Sequence, residues 1–168
     1  MGRATDALLV YGHDLGGNDE WKVKELDKYG GLLETSWYSP VDDEADEDES
    51  DFATCATQHL IREIAGFREK YLETLDTASY WDRLRDAEQR VGVRIASYCS
   101  DGAPSYMLAA HVTRIARGDI EEIDPVDLVE RPALMGWDKQ LAAALDALGL
   151  TPLQKTPRWL LASYGSGF

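Results

Sequence analysis

Val93-Arg94-Ile95-Ala96-Ser97-Tyr98-Cys99, the loop Ser100-Asp101-Gly102-Ala103-Pro104-Ser105, and the run from Tyr106 to Ile115 decide the fold. Val93, Ile95, Ser97 and Cys99 alternate with Arg94, Ala96 and Tyr98, which is the period of a strand. The following run is a second strand. A connection this short joins antiparallel neighbours, because a parallel crossover needs a dozen residues or more. Upstream, the short apolar run Ala7-Leu8-Leu9-Val10-Tyr11 fits a buried strand better than a helix, for which it is too short. Downstream, Arg158 to Tyr164 reads as the last strand. The chain from Tyr106 through two helices to Trp159 reads as a β-α-β crossover, parallel and right-handed if its strands are neighbours.

Helices fill the intervals. Asp51 is the expected N-cap of the first, with Phe52, Ala56, Leu60, Ile64, Phe67 and Tyr71 at three- and four-residue steps along its apolar face. Ser79 is expected to cap a second, which turns Trp81, Leu84 and Val91 inward and ends at Gly92. Asp124-Pro125 opens a third, short helix that ends near Arg131-Pro132. Trp137, Leu141, Leu145 and Leu148 mark a fourth, closed by Gly149. Residues 21–25 and 32–38, with Gly30-Gly31 between them, read as a hairpin. The pattern predicts one mixed α/β (α+β) domain over residues 1–168. Its mixed sheet has four to six strands covered by three or four helices.

Composition bounds the function. The 168 residues hold 31 acids against 17 Lys and Arg, a formal net charge of −14. Such a surface repels nucleic-acid phosphates and anionic lipid, so direct nucleic-acid binding is not expected and a basic protein partner is favoured. Residues 42–51 are nearly all acidic, have nothing to bury, and read as a solvated, flexible loop. No apolar run approaches the length of a membrane span, and no secretory leader is visible. With only Cys55 and Cys99, the expectation is a cytoplasmic protein with reduced thiols. Heavy use of Ala, Asp and Arg suggests a GC-rich genome, and the small size would suit an accessory protein of a bacteriophage or mobile element.

Two sets of residues carry candidate chemistry. Gly12-His13-Asp14-Leu15-Gly16-Gly17 follows the first strand and reads as a loop at its carboxyl end, where open α/β sheets gather ligands. It is neither a dinucleotide fingerprint nor a P-loop. Ser100-Asp101 sits at the end of the strand through Cys99. The candidate catalytic residues are therefore His13, Asp14, Ser100 and Asp101, and the candidate ligand-binding residues Gly12, Gly16, Gly17, Trp37 and Tyr98. A nucleophile needs a base within hydrogen-bond reach, and none of His13, His59 and His111 has diagnostic spacing to Cys99 or Ser100. Cys99 is expected to pack inside, as free cysteine usually does. No zinc-ligand spacing occurs, and neither a metal nor a cofactor is expected.

The leading expectation is a non-catalytic interaction or regulatory protein that binds a basic protein surface. The rival is a small-ligand or nucleotide-binding domain, a hydrolase or transferase, with a composite site at the Gly12–Gly17 and Ser100-Asp101 loops. That rival requires the two loops to meet in a closed, aromatic-lined pocket.

Overall fold

A computed structural model describes residues 5–17, 19–39, 51–71, 77–99 and 103–165. Eight elements follow one another: β1 (Thr5–Gly17), α1 (Phe52–Ala65), α2 (Thr77–Val91), β2 (Arg94–Cys99), β3 (Pro104–Ile115), α3 (Pro125–Met135), α4 (Trp137–Leu148) and β4 (Arg158–Gly165). β1 is the spine. β3 pairs along one side of it and β4 along the other, both antiparallel, and β2 pairs antiparallel with the far edge of β3. A single parallel pairing of Cys99 with Tyr164 joins β2 to β4 and closes the sheet into a small barrel. The architecture is a single mixed α/β domain of four strands and four helices.

The sheet has a core on each face, as strand alternation demands. Leu8, Val10, Met107 and Ala109 are buried on the inner face with Ala96, Tyr98, Leu160 and Ala162 around them. On the other face Leu15, Tyr106 and Leu108 meet Phe52, Ala56 and Leu60 of α1 and Trp137, Leu141 and Leu148 of α4. Leu15, Leu108 and Leu141 are fully buried, so truncating any of them to Ala would cost about 2–5 kcal/mol.

The segment expected as a Gly-rich loop is instead the second half of β1. Glycine is a common turn signal, but here its missing side chain lets two strands approach. A Cβ on Gly12 would lie 1.8 Å from the Leu108 carbonyl oxygen, and one on Gly17 2.4 Å from that of Pro104. Register shifts between Tyr11 and Gly12 and between Asp14 and Gly16 bend the pair at these points. Gly16 takes a φ of 71°, which glycine adopts freely.

Other expectations need correction. β3 and β4 are not neighbours, because β1 lies between them, so the α3–α4 connection spans a strand instead of forming a paired β-α-β unit. Residues 21–38 form no named strands; Leu26 and Leu33 make one antiparallel bridge around the turn. α1 ends at Gly66 in the left-handed conformation, and the Phe67 N–H returns to the Ile61 carbonyl, so Phe67 and Tyr71 lie beyond the helix. They pack on Tyr80 and Trp81 of α2. α2 starts before Ser79, and Trp81 faces out, 51 % exposed. Residues 42–50 of the acidic tract lie outside the described residues; Asp51 caps α1 by accepting from Thr54 N–H at 2.6 Å, as expected.

α3 runs past Pro132 to Met135, with Gly136 as its C-cap. Proline has no N–H, so the Leu128 carbonyl four residues back loses its helical donor. The indole Nε1 of Trp159, on β4, donates to that oxygen at 2.8 Å. A tertiary bond thus replaces the missing local one and pins the middle of α3 to the sheet.

Candidate functional site

The sheet end where β1 finishes carries the most polar cluster near the predicted residues. The Tyr98 hydroxyl donates to Asp14 Oδ1 at 2.6 Å, the Gly16 N–H to the same oxygen at 3.0 Å, and Lys22 Nζ to Asp14 Oδ2 at 2.9 Å. Burial pushes the Asp14 carboxyl up, but the Tyr98, Lys22 and Gly16 donors outweigh it and hold the pKa below the ordinary carboxylate value. Burial, together with donation to Asp14, raises that of Tyr98. Asp14 therefore stays ionised with its acceptor sites occupied by the protein's own groups. The arrangement fastens β1 to β2 and to the turn at Lys22.

His13 sits beside this cluster but is 4 % exposed, so a solute reaches it only if the strand moves. Its Nδ1 has no hydrogen-bond partner among the described residues. Burial lowers its pKa and keeps the ring neutral. Gln154 covers the outer edge of β1 on either side of it: Nε2 donates to the Gly12 carbonyl at 2.8 Å, and Oε1 accepts from Asp14 N–H at 3.0 Å.

The predicted binding residues are only partly brought together. Asp14 and Tyr98 meet. Ser100 and Asp101 lie outside the described residues. Trp37 belongs to the opposite core, where its Nε1 donates to the Leu148 carbonyl at 2.8 Å and its ring stacks on His59. The space before Gly12, Gly16 and Gly17 is filled by the chain itself. Cys99 is exposed, with a φ of 82° at the end of β2, contrary to the expectation that it packs inside. Among the described residues no three His, Cys, Asp or Glu gather in a metal-binding group, and no helix is long and apolar enough to cross a membrane.

A different surface was missed by sequence reasoning. α3 touches the rest of the protein through Leu128, Arg131 and Pro132, which share one side of the helix. Arg131 lies over the Trp137 ring at 5.3 Å. The other side shows Val126, Val129 (78 % exposed) and Leu134 (77 %) to solvent, and Ile120 (95 %) and Ile123 continue the apolar character before it. Val126, Val129 and Ala133 fall at the three- and four-residue steps that make one stripe. Acids surround it: residues 119–130 hold Asp119, Glu121, Glu122, Asp124, Asp127 and Glu130, with no Lys or Arg among them. The signal was present, since this segment has more apolar positions than one buried stripe uses. An amphipathic helix normally has only one such face, so the apolar period alone does not mark the second as exposed.

No family model, curated protein or solved structure matches the chain, so what it does has to be argued from its own side chains.

Proposed function

We propose that this protein is a non-catalytic interaction factor that docks a basic, partly apolar segment of another protein on the outer face of α3. The observation that carries the reading is the exposure of Val126 and Val129 within residues 119–130, which hold six acids and no Lys or Arg, with Leu134 exposed one turn further on. Grouped apolar side chains of this kind, rimmed by polar groups, mark interaction sites on soluble proteins. Burying each of the three would contribute about 1.5–3 kcal/mol, whereas exposed ion pairs contribute about 0–1 kcal/mol. The apolar stripe would therefore set the lifetime of the complex, and the acids its rate of formation and its choice of a cationic partner.

An amphipathic helical peptide of Lys and Leu is a suitable probe. Titrated into the isotopically labelled protein at low salt, it should shift amide resonances within 119–135. Its affinity should fall steeply as salt rises. The combined Val126→Ser and Val129→Ser substitutions, both at solvent-facing positions, should weaken binding about tenfold or more without changing the fold. Binding that maps elsewhere, or is indifferent to both salt and these substitutions, would refute the reading.

A further inference from the structure

A second surface, on the far edge of β3, is independent of α3 and does not rest on the proposal above. β2 stops pairing with β3 at Arg94 and Ala109. From Ala110 to Thr113 the edge of β3 turned away from β1 has no strand partner among the described residues. Four residues of strand span roughly 13 Å, and their outward N–H and C=O groups form a template for another strand. A cleft of about 490 Å³ opens along the first part of this edge. Leu60, Ile61, Val91, Val93 and Val112 give it an apolar lining, and Arg94 stands in its wall. Its volume and apolar character fall in the range of sites that hold a ligand segment.

Strand direction fixes what would fit. β2 runs antiparallel to β3. A further strand added antiparallel on the same edge would run in the direction of β2 and end where β2 begins, so its C-terminus would arrive at Arg94. Arg94 is exposed and makes no ion pair among the described residues. Arg85 and Glu88, of opposite sign, stand on the α2 side of the cleft. The neighbouring His111 feels burial first and then the positive charges of Arg131 and Arg94, all of which lower its pKa. An anion at this end of the cleft would therefore meet a locally positive field on a chain of net charge −14.

We infer that the edge of β3 from Ala110 to Thr113 receives the C-terminal segment of an extended peptide, antiparallel to β3, with its terminal carboxylate held by Arg94 and an apolar end residue in the cleft. Main-chain pairing supplies affinity in this mode, while the cleft and the guanidinium supply selectivity.

The test selects random heptapeptides with free C-termini against the full chain, alongside a matched pool whose C-termini are blocked. The free pool should be enriched in sequences ending in Val, Ile or Leu. A synthetic winner should bind about tenfold or more tighter than its C-terminal amide, and should lose about the same factor on Arg94→Gln. Amide exchange should slow between Ala110 and Thr113 on binding. Arg94 is exposed, so the variant should melt with the wild type; if it does not, Arg94→Lys, which keeps the charge, should retain part of the affinity. Val129→Ser on α3 should leave binding unchanged. Failure of the free pool to enrich, equal binding by the amide, indifference to Arg94→Gln, or protection of another strand would overturn the inference.

Discussion

At the residue scale, Asp14 and His13 are neighbours with opposite responses to burial. Asp14 keeps its charge because Tyr98, Lys22 and Gly16 donate to it; at His13 burial outweighs the backbone hydrogen bond with Gln154 and the Asp138 charge, and lowers the pKa. The Asp14 carboxyl titrates lower in the folded chain than in the unfolded one, so its stabilisation is complete above the ordinary carboxylate range and is lost as pH falls through the depressed value. Asp14→Ala should cost about 1–3 kcal/mol at neutral pH in urea unfolding, and the difference from wild type should shrink near pH ~3. A gap that does not change with pH would show that the carboxylate's charge contributes nothing. For His13 the unfolded chain takes up a proton first, so stability should fall as pH drops below about 6.5 toward the lower folded value. His111, also lowered by burial, acts in the same direction. The urea midpoint of the wild type should therefore decline between about pH 7 and about pH 5.5, and His13→Phe should decline less. Equal slopes would remove His13 from this role. The sequence made Asp14 and His13 candidates because of their types and position, but the Tyr98 bond joins residues 84 apart in the chain, and no local pattern encodes that contact.

Among the elements, strands and helices whose apolar period is uninterrupted were legible: the first half of β1, β2, β3, β4, α1 and α4. Legibility failed where a local rule met a tertiary substitute. Glycines 12, 16 and 17 look like a turn until the strand they must touch is known. Pro132 looks like a helix end until Trp159 supplies the donor that proline lacks. The second case is directly testable. Trp159→Phe leaves the Leu128 carbonyl without its donor, whereas Pro132→Ala restores a backbone N–H that can take that oxygen. Trp159→Phe should therefore destabilise by about 1–2 kcal/mol in the wild type and by less in the Pro132→Ala background. Additive losses in a thermal or urea cycle would mean that the two groups do not share the carbonyl. Trp81 and the outer face of α3 failed for another reason. An apolar pattern shows that a face exists, and burial depends on whether another element arrives to cover it.

For the whole molecule, the mixed α/β class and the acidic surface were readable from composition and period alone. The order of strands was not, because insertion of β1 between β3 and β4 leaves the element string unchanged. The net charge of −14 has a consequence at this scale. Self-repulsion opposes the compact state, and salt screens it. Raising the salt concentration from about 0.02 to about 0.3 M should therefore raise the melting temperature by about 2–5 °C, a change of the size that roughly 1 kcal/mol produces in a domain this large. A fall would show that attractive pairs such as Lys22–Asp14 and Arg83–Glu69 outweigh the repulsion. The same salt should loosen a cationic partner from α3, so the chain alone would gain stability under conditions in which its complex weakens.

The most direct measurement places a photo-crosslinking side chain at position 129, on the outer stripe of α3, in cells that carry the native gene, with position 153, an exposed site outside α3, as the control. The expected result is a discrete adduct from 129 and not from 153, with the cross-linked segment of the partner rich in Lys or Arg and apolar residues. An adduct set that is the same from both positions, or a 129 partner whose captured segment is acidic, would contradict the assignment of α3 as the docking surface.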